Sequence, residues 1–217
     1  MGCNCLKLTG LLCALSGDVS GAERLLDLQT ADTIALEESG CLHLLLDEEL
    51  PRWRQCGLGR FVVTNGVATG VGGMGLWWYS GQQFTNFVLR GDFKQVQEMA
   101  GSGIFLRFPD PKDHSWVAVL KGHKVQIGDP EPKDPAWRTG SISPFQASTR
   151  ANTLPIGQWN TYEIRCIGHR YTVSINGAKV TDWVDPKERT AHGFVGLQNF
   201  EDGKAVQHRN VRIKVLP

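Results

Sequence analysis

A chain of 217 residues with 41% hydrophobic and 21% charged side chains is long enough for one ordinary domain and too apolar to remain unfolded. Its net charge of +1 makes no electrostatic case for a nucleic-acid or membrane-surface partner, and 25 glycines beside 7 tryptophans and 10 prolines favour short strands joined by turns. The average conceals a division, because residues 1–50 carry 2 basic and 9 acidic side chains whereas residues 51–217 carry 21 and 13.

At the N-terminus no stretch approaches the roughly 18 consecutive apolar residues of a membrane-spanning helix. The apolar run 8–15 is preceded only by Lys7 and followed by no clean cleavage site, so it does not make a convincing secretory signal. Leu6 stands where an N-myristoylation motif wants Ser or Thr. Cys3 and Cys5 lack the spaced partners of a metal site. With Cys13, Cys41 and Cys56 also early and Cys166 alone late, reduced thiols are expected rather than a disulfide framework. Ser20 and Glu23 form a capping box, and Leu25, Leu28, Ala31 and Ala35 follow at helical spacing, which predicts a helix over about 21–38. Residues 1–42 therefore read as an acidic, cysteine-bearing extension.

From about residue 43 the period changes to two. Segment 60–64 is followed by Asn65-Gly66, a dipeptide suited to a type I′ hairpin turn, and Asn176-Gly177 joins 171–175 to 178–182 in the same way. Further strands are predicted at 76–80, 84–93, 103–108, 116–119, 123–127, 159–167, 194–198 and 206–215. In 159–167, Tyr162, Ile164 and Cys166 share one face and Thr161, Glu163 and Arg165 the other. So many strands without an intervening helical pattern point to an all-β, two-sheet antiparallel sandwich or jelly roll over 43–217.

A sheet of such a sandwich can curve so that its outer face forms a groove, and alternation nominates who faces it. With Ile104, Leu106 and Phe108 in the apolar phase, Arg107 points the other way; with Val125 and Ile127 inward, Lys124 and Gln126 face out and His123 faces in. Val195 and Leu197 likewise place Gln198 outward, with Gly196 leaving room beside it. Each of these is, on the plainer reading, an ordinary solvated strand residue. Trp77 and Trp78 must point to opposite faces of one strand, so one is core and the other more exposed. Trp137, in a loop after Pro135, offers an indole on which a sugar ring can stack, although tryptophan in a sandwich is usually core.

The order Gly73-Met-Gly-Leu-Trp-Trp-Tyr79, Gly101-Ser-Gly-Ile-Phe-Leu-Arg107, His123-Lys-Val-Gln-Ile127, Thr139-Gly-Ser-Ile142, Gly157-Gln-Trp-Asn160, Ile175-Asn-Gly177, Gly196-Leu-Gln198 and Arg209-Asn-Val-Arg-Ile-Lys214 resembles the 3-keto-disaccharide hydrolase family over roughly 43–217. The resemblance implies a concanavalin-like jelly roll, a small keto-sugar glycoside as ligand, and an extracytoplasmic setting for many members. It also implies a chemistry. A carbonyl at C3 acidifies the hydrogen on C2, so one base and one electrophile suffice to expel the C1 leaving group by β-elimination, unlike the two-carboxylate route of ordinary glycosidases. A divalent metal is one candidate electrophile; no nucleotide cofactor is implied. No closely spaced histidine pair occurs, so a metal site would have to be assembled from distant strands.

Two positions depart from the family pattern: Lys124 stands where Glu is common and Ser143 where Tyr is common. Lys124 offers an electrophile, or a base if burial lowers its pKa. His123 and Asp129 are the other candidates for the base, against the alternatives of a hydrogen-bonded core histidine and a turn-forming aspartate. The catalytic candidates are thus Asp129, Lys124 and His123, and the substrate-binding candidates Arg107, Gln126, Gln198 and Trp137. The competing expectation, favoured by Lys124, is a non-catalytic carbohydrate-binding or interaction module.

Overall fold

A strand with apolar side chains at alternate positions has one face to bury, and two sheets built from such strands satisfy each other face to face. The computed structural model describes residues 39–129 and 134–217; the helix expected over 21–38 and the thiols of Cys3, Cys5 and Cys13 lie outside them. The described chain forms β1 (Leu42–His43), β2 (Trp53–Gly57), β3 (Arg60–Thr64), β4 (Val67–Val71), β5 (Gly75–Phe84), β6 (Phe87–Gln95), β7 (Ser102–Phe108), helix α1 (Trp116–Lys121), β8 (His123–Ile127), β9 (Ile142–Ser143), β10 (Asn160–Ile167), β11 (Arg170–Ile175), β12 (Ala178–Val184), β13 (Gly193–Asn199) and β14 (Val206–Val215). A back sheet runs β12-β11-β10-β6-β14-β4-β3, with β1 added against β14, and a front sheet runs β2-β5-β13-β7-β8-β9. Neighbours distant in sequence, such as β6 with β14 and β5 with β13, pair antiparallel. The all-β, two-sheet jelly roll expected from the pattern is what the chain forms. No described helix is long and apolar enough to cross a membrane, and the described cysteines Cys56 and Cys166 are free thiols.

Both hairpin dipeptides do what their chemistry allows. Asn65 and Gly66 take φ of 50° and 73°, Asn176 and Gly177 take 48° and 76°, the left-handed pair a type I′ turn requires. One inward row then crosses the front sheet: Trp77, Leu197, Ile104, Val125 and Ile142 stand side by side by register and all are buried in the main core. Trp77 stacks on Trp53 with ring centroids 4.0 Å apart and on Phe61 at 5.3 Å. Phe87, Leu89, Tyr162 and Ile164 meet them from the back sheet. Each large apolar side chain so buried contributes about 1.5–3 kcal/mol. The outer face of the back sheet is charged and paired, Arg90 Nε lying 2.8 Å from Glu163 Oε2 and Arg209 Nε 2.9 Å from Asp92 Oδ2.

Four expectations are corrected. Segment 116–119 belongs to α1 rather than to a strand, because a short apolar run carries no period that separates the two. Segment 84–93 is broken at Thr85-Asn86, where Asn86 Oδ1 accepts from Gly168 N at 2.9 Å and holds the turn. Arg107 does not face outward. It takes φ of 50° beside a register shift between Phe194 and Val195, and this bulge moves Phe108 onto the outer face with Phe105. Arg107 thereby turns inward and is fully buried, with its guanidinium over the rings of Phe87 and Tyr171. It donates to the carbonyls of Thr85 and Gly168 and, at 3.4 Å, to Tyr171 Oη. Trp77 and Trp78 do face opposite ways, yet both are buried, because α1 lays Ala118 and Val119 over Trp78, Leu76 and Phe105.

Truncating Arg107 would empty a fully buried site and remove its bonds to the Thr85 and Gly168 carbonyls. Arg107→Ala should therefore lower unfolding free energy by about 3 kcal/mol or more, read from urea denaturation. His208, fully buried beside Ser102 Oγ at 3.4 Å, has its pKa pushed down from 6.5 to about 3 by burial. The unfolded chain then binds this proton more readily, so stability is intact above pH 6.5 and falls below it. The expected loss from His208 between pH 6.5 and 5 is about 2 kcal/mol, and His208→Leu should flatten that part of the pH profile.

Candidate functional site

Beside the inward row, the front sheet carries two outward ones. Leu76, Gln198, Gly103 and Gln126 are aligned in the first, and Trp78, Gly196, Phe105, Lys124 and Ser143 in the second. Helix α1 covers the apolar members Leu76, Trp78 and Phe105. Lys124, Gln126 and Gln198 are left to line a cavity of about 240 Å³ with Asp129, Trp137, Met99 and Phe200. Gly103 makes room for the lysine. A Cβ there would lie 2.6 Å from Lys124 Cδ and 3.1 Å from Gln198 Oε1, so the missing side chain is what lets the lysine stem cross between the two amides.

Lys124 Nζ lies 5.1 Å from the centroid of the Trp137 ring. It makes no hydrogen bond or ion pair with any described residue, whereas Lys204, on the same cavity, is paired with Glu201 at 2.9 Å. Burial pushes the Lys124 ammonium down from 10.5 to about 8, because the charged form loses hydration. Trp137 is set at the mouth by a 3-10 turn, Pro135–Trp137, whose Asp134 carboxylate accepts from Ala136 N at 2.9 Å. Ser141 and Ser143 both donate to Ala136 O, so the small residue at 143 braces the loop that presents the indole, itself 40% exposed.

Gln126 is buried, and its Nε2 reaches only the carbonyl of Ile127 at 3.2 Å; its Oε1 has no partner. An unsatisfied buried acceptor costs about 1–3 kcal/mol, which a ligand hydroxyl at this point would recover. Gln198 Nε2 donates to Met74 Sδ at 3.3 Å. Asp129 lines the cavity while Oδ1 accepts from Thr139 N at 2.9 Å and Oδ2 from Thr139 Oγ1 at 3.4 Å.

Lys124, Gln126, Asp129, Trp137 and Gln198 are thus brought together, and Arg107 and His123 are not. Arg107 lies between the sheets for the reason given above. His123 faces inward, with Nε2 3.0 Å from Asp185 Oδ2 and both side chains buried. Burial lowers its pKa despite the opposing pull of Asp185, so the neutral ring donates Nε2–H to the carboxylate. Burial would raise the Asp185 pKa, but hydrogen bonds from Lys187 N, Arg189 N and His123 outweigh it and hold the carboxyl below its usual value. His123 is therefore a buried, paired core residue, on the opposite face of β8 from the cavity. Gly103 was not singled out by sequence, although glycine inside a strand between polar outward positions is a signal of close approach. Met99 and Phe200 lie in loops, where no period marks them.

A divalent cation does not fit this donor set. Among the described residues no group of three His, Cys, Asp or Glu side chains converges, and the lysine Lys124 is among the residues lining the cavity.

The sequence profile of the 3-keto-alpha-glucoside-1,2-lyase-like domain matches residues 43–214. No curated protein matches the chain. Among solved structures, a candidate glycosyl hydrolase from Parabacteroides distasonis ATCC 8503 is similar with a TM-score of 0.69 at 22% identity, over 81% of this chain and 99% of its own. A Bacillus subtilis protein with a galectin-like fold gives 0.62 at 15% identity, over 81% and 96%. The carbohydrate-binding module CBM66 from Bacillus subtilis gives 0.56 at 13%, over 75% and 95%. At these identities the likeness establishes the jelly-roll fold.

Two outcomes follow from the cavity's geometry. Selective acetylation of the native protein, mapped by mass spectrometry across pH, should show Lys124 half-deprotonated near pH 8, well before exposed lysines. Gly103→Ala should push Lys124 aside and weaken ligand binding about tenfold, with stability changed by less than about 1 kcal/mol, since a flexible side chain absorbs the clash.

Proposed function

The chain belongs to the 3-keto-alpha-glucoside-1,2-lyase-like family, and from that premise we propose that its front-sheet cavity binds a 3-keto-glycoside and cleaves the bond at C1. The observation that carries this reading is the convergence of the Lys124 ammonium and the orphaned Gln126 acceptor in one small cavity. The first suits a carbonyl oxygen and the second a hydroxyl. The indole of Trp137 supports the C–H face of the ring, and the Gln198 amide a further hydroxyl.

In this arrangement Lys124 polarises the C3 carbonyl and Asp129 takes the proton from C2. The electron pair of the C2–H bond becomes the enolate, stabilised beside Lys124. Re-forming the carbonyl drives C1=C2 bond formation as the C1–O bond breaks, and the leaving oxygen collects a proton. Water adding at C1 of the resulting enone completes hydrolysis. His123 and Arg107 have no part in these steps.

One observation favours the second reading, a sugar-binding module without turnover: both Asp129 oxygens are already engaged by Thr139. Incubation with a 3-keto-disaccharide, following released monosaccharide, separates the two. The enzyme reading expects release that Asp129→Asn lowers by about 10²–10⁴ and that Lys124→Glu abolishes. Sugar binding without release establishes the module. A silent native protein whose Lys124→Glu variant gains turnover would show instead that this chain lost activity by that substitution.

A further inference from the structure

Amines that attack carbonyls need to be uncharged, held near the carbonyl carbon, and free of a competing carboxylate. Exposed lysines fail the first condition, and paired lysines the third. Lys124 differs from both. Its stem lies along the gap left by Gly103, its Nζ stands over the Trp137 ring at 5.1 Å, and no described residue offers it a hydrogen bond or an ion pair. Met99, Phe200 and Trp137 line the same cavity.

We propose that Lys124 is a covalent nucleophile that condenses with the ketone of a bound keto-sugar to form a Schiff base. This rests on the reading of the cavity as a 3-keto-glycoside site and specifies how its lysine acts. The amine nitrogen bonds to C3, the carbonyl oxygen leaves as water, and the protonated lysine with the ketone thus yields an iminium and one water. No redox partner is involved. The iminium nitrogen withdraws electrons from C2 more strongly than a hydrogen-bonded carbonyl does, so the C2 proton passes to Asp129 and the pair is held as an enamine. Collapse of the enamine expels the C1 oxygen, which takes the proton from Asp129; one water then adds across C1 and C2 of the unsaturated iminium, and a second, returning to C3, frees the lysine and restores the ketone.

The ammonium's fall toward pH 8 supplies an appreciable neutral fraction near neutrality. The surroundings keep the adduct in place. Gln126 Oε1 lacks a partner and can accept from the C2 or C4 hydroxyl, and the Trp137 indole closes over the ring. Lysine at this position is therefore a nucleophile with its own chemistry, and the iminium it forms is the electron sink.

The full chain is incubated with a 3-keto-disaccharide and sodium cyanoborohydride, then examined by intact mass and peptide mapping, with ligand binding and monosaccharide release measured on the same preparation by calorimetry and chromatography. The expected result is one adduct on the peptide containing Lys124, heavier by the sugar less one oxygen, with or without its C1 substituent. Lys124→Arg, which keeps the charge, should lose the adduct. Binding or release without an adduct, or labelling spread over other lysines and unchanged in Lys124→Arg, overturns the Schiff base and leaves the glycoside reading intact. If the native protein neither binds nor cleaves the sugar and gives no adduct, the glycoside reading fails, and the covalent step with it.

Discussion

Everything in the front sheet depends on the row in which Trp77, Leu197, Ile104, Val125 and Ile142 meet the back sheet. Burying that row commits five strands to one register, because a slip of one residue would expose all five side chains at once. The commitment leaves the flanking positions no choice of face. Gln198, Gly103 and Gln126 fall outward as a set, and Lys124 falls outward one step along. The core thus builds the cavity by deciding what cannot enter the core.

The same parity explains what could be read in advance. β8 spans 123–127 without interruption, so Val125 and Ile127 were enough to place Lys124 and Gln126 outward and His123 inward. β13 likewise yielded Gln198. Arg107 defeated the method because a bulge inserts one residue, and nothing in Ile104-Phe-Leu-Arg-Phe108 announces a break in phase. The partner of His123 was illegible for a different reason: Asp185 lies 62 positions away and meets it only through the fold. The exposure foreseen for one of the two adjacent tryptophans failed on α1, a short helix whose apolar run has no period of its own. Gly103 shows a third kind of gap, where the informative side chain is one that is missing.

Charge in the cavity is arranged economically. Lys204 answers Glu201, and Asp129 is occupied by Thr139, so the Lys124 cation is left without a described counter-charge. An uncompensated, half-desolvated ammonium is unfavourable for the fold alone. The excess of basic residues after position 50 does not produce this feature, which comes from the local geometry of three strands and one tryptophan loop.

Helix α1 also decides what the front sheet leaves open. Ala118 and Val119 rest on Leu76, Trp78 and Phe105, so the apolar part of the outward rows is roofed. The polar part, with Lys124, Gln126 and Gln198, stays open beside Trp137. A six-residue helix thus turns the outer face of a whole sheet into one confined pocket.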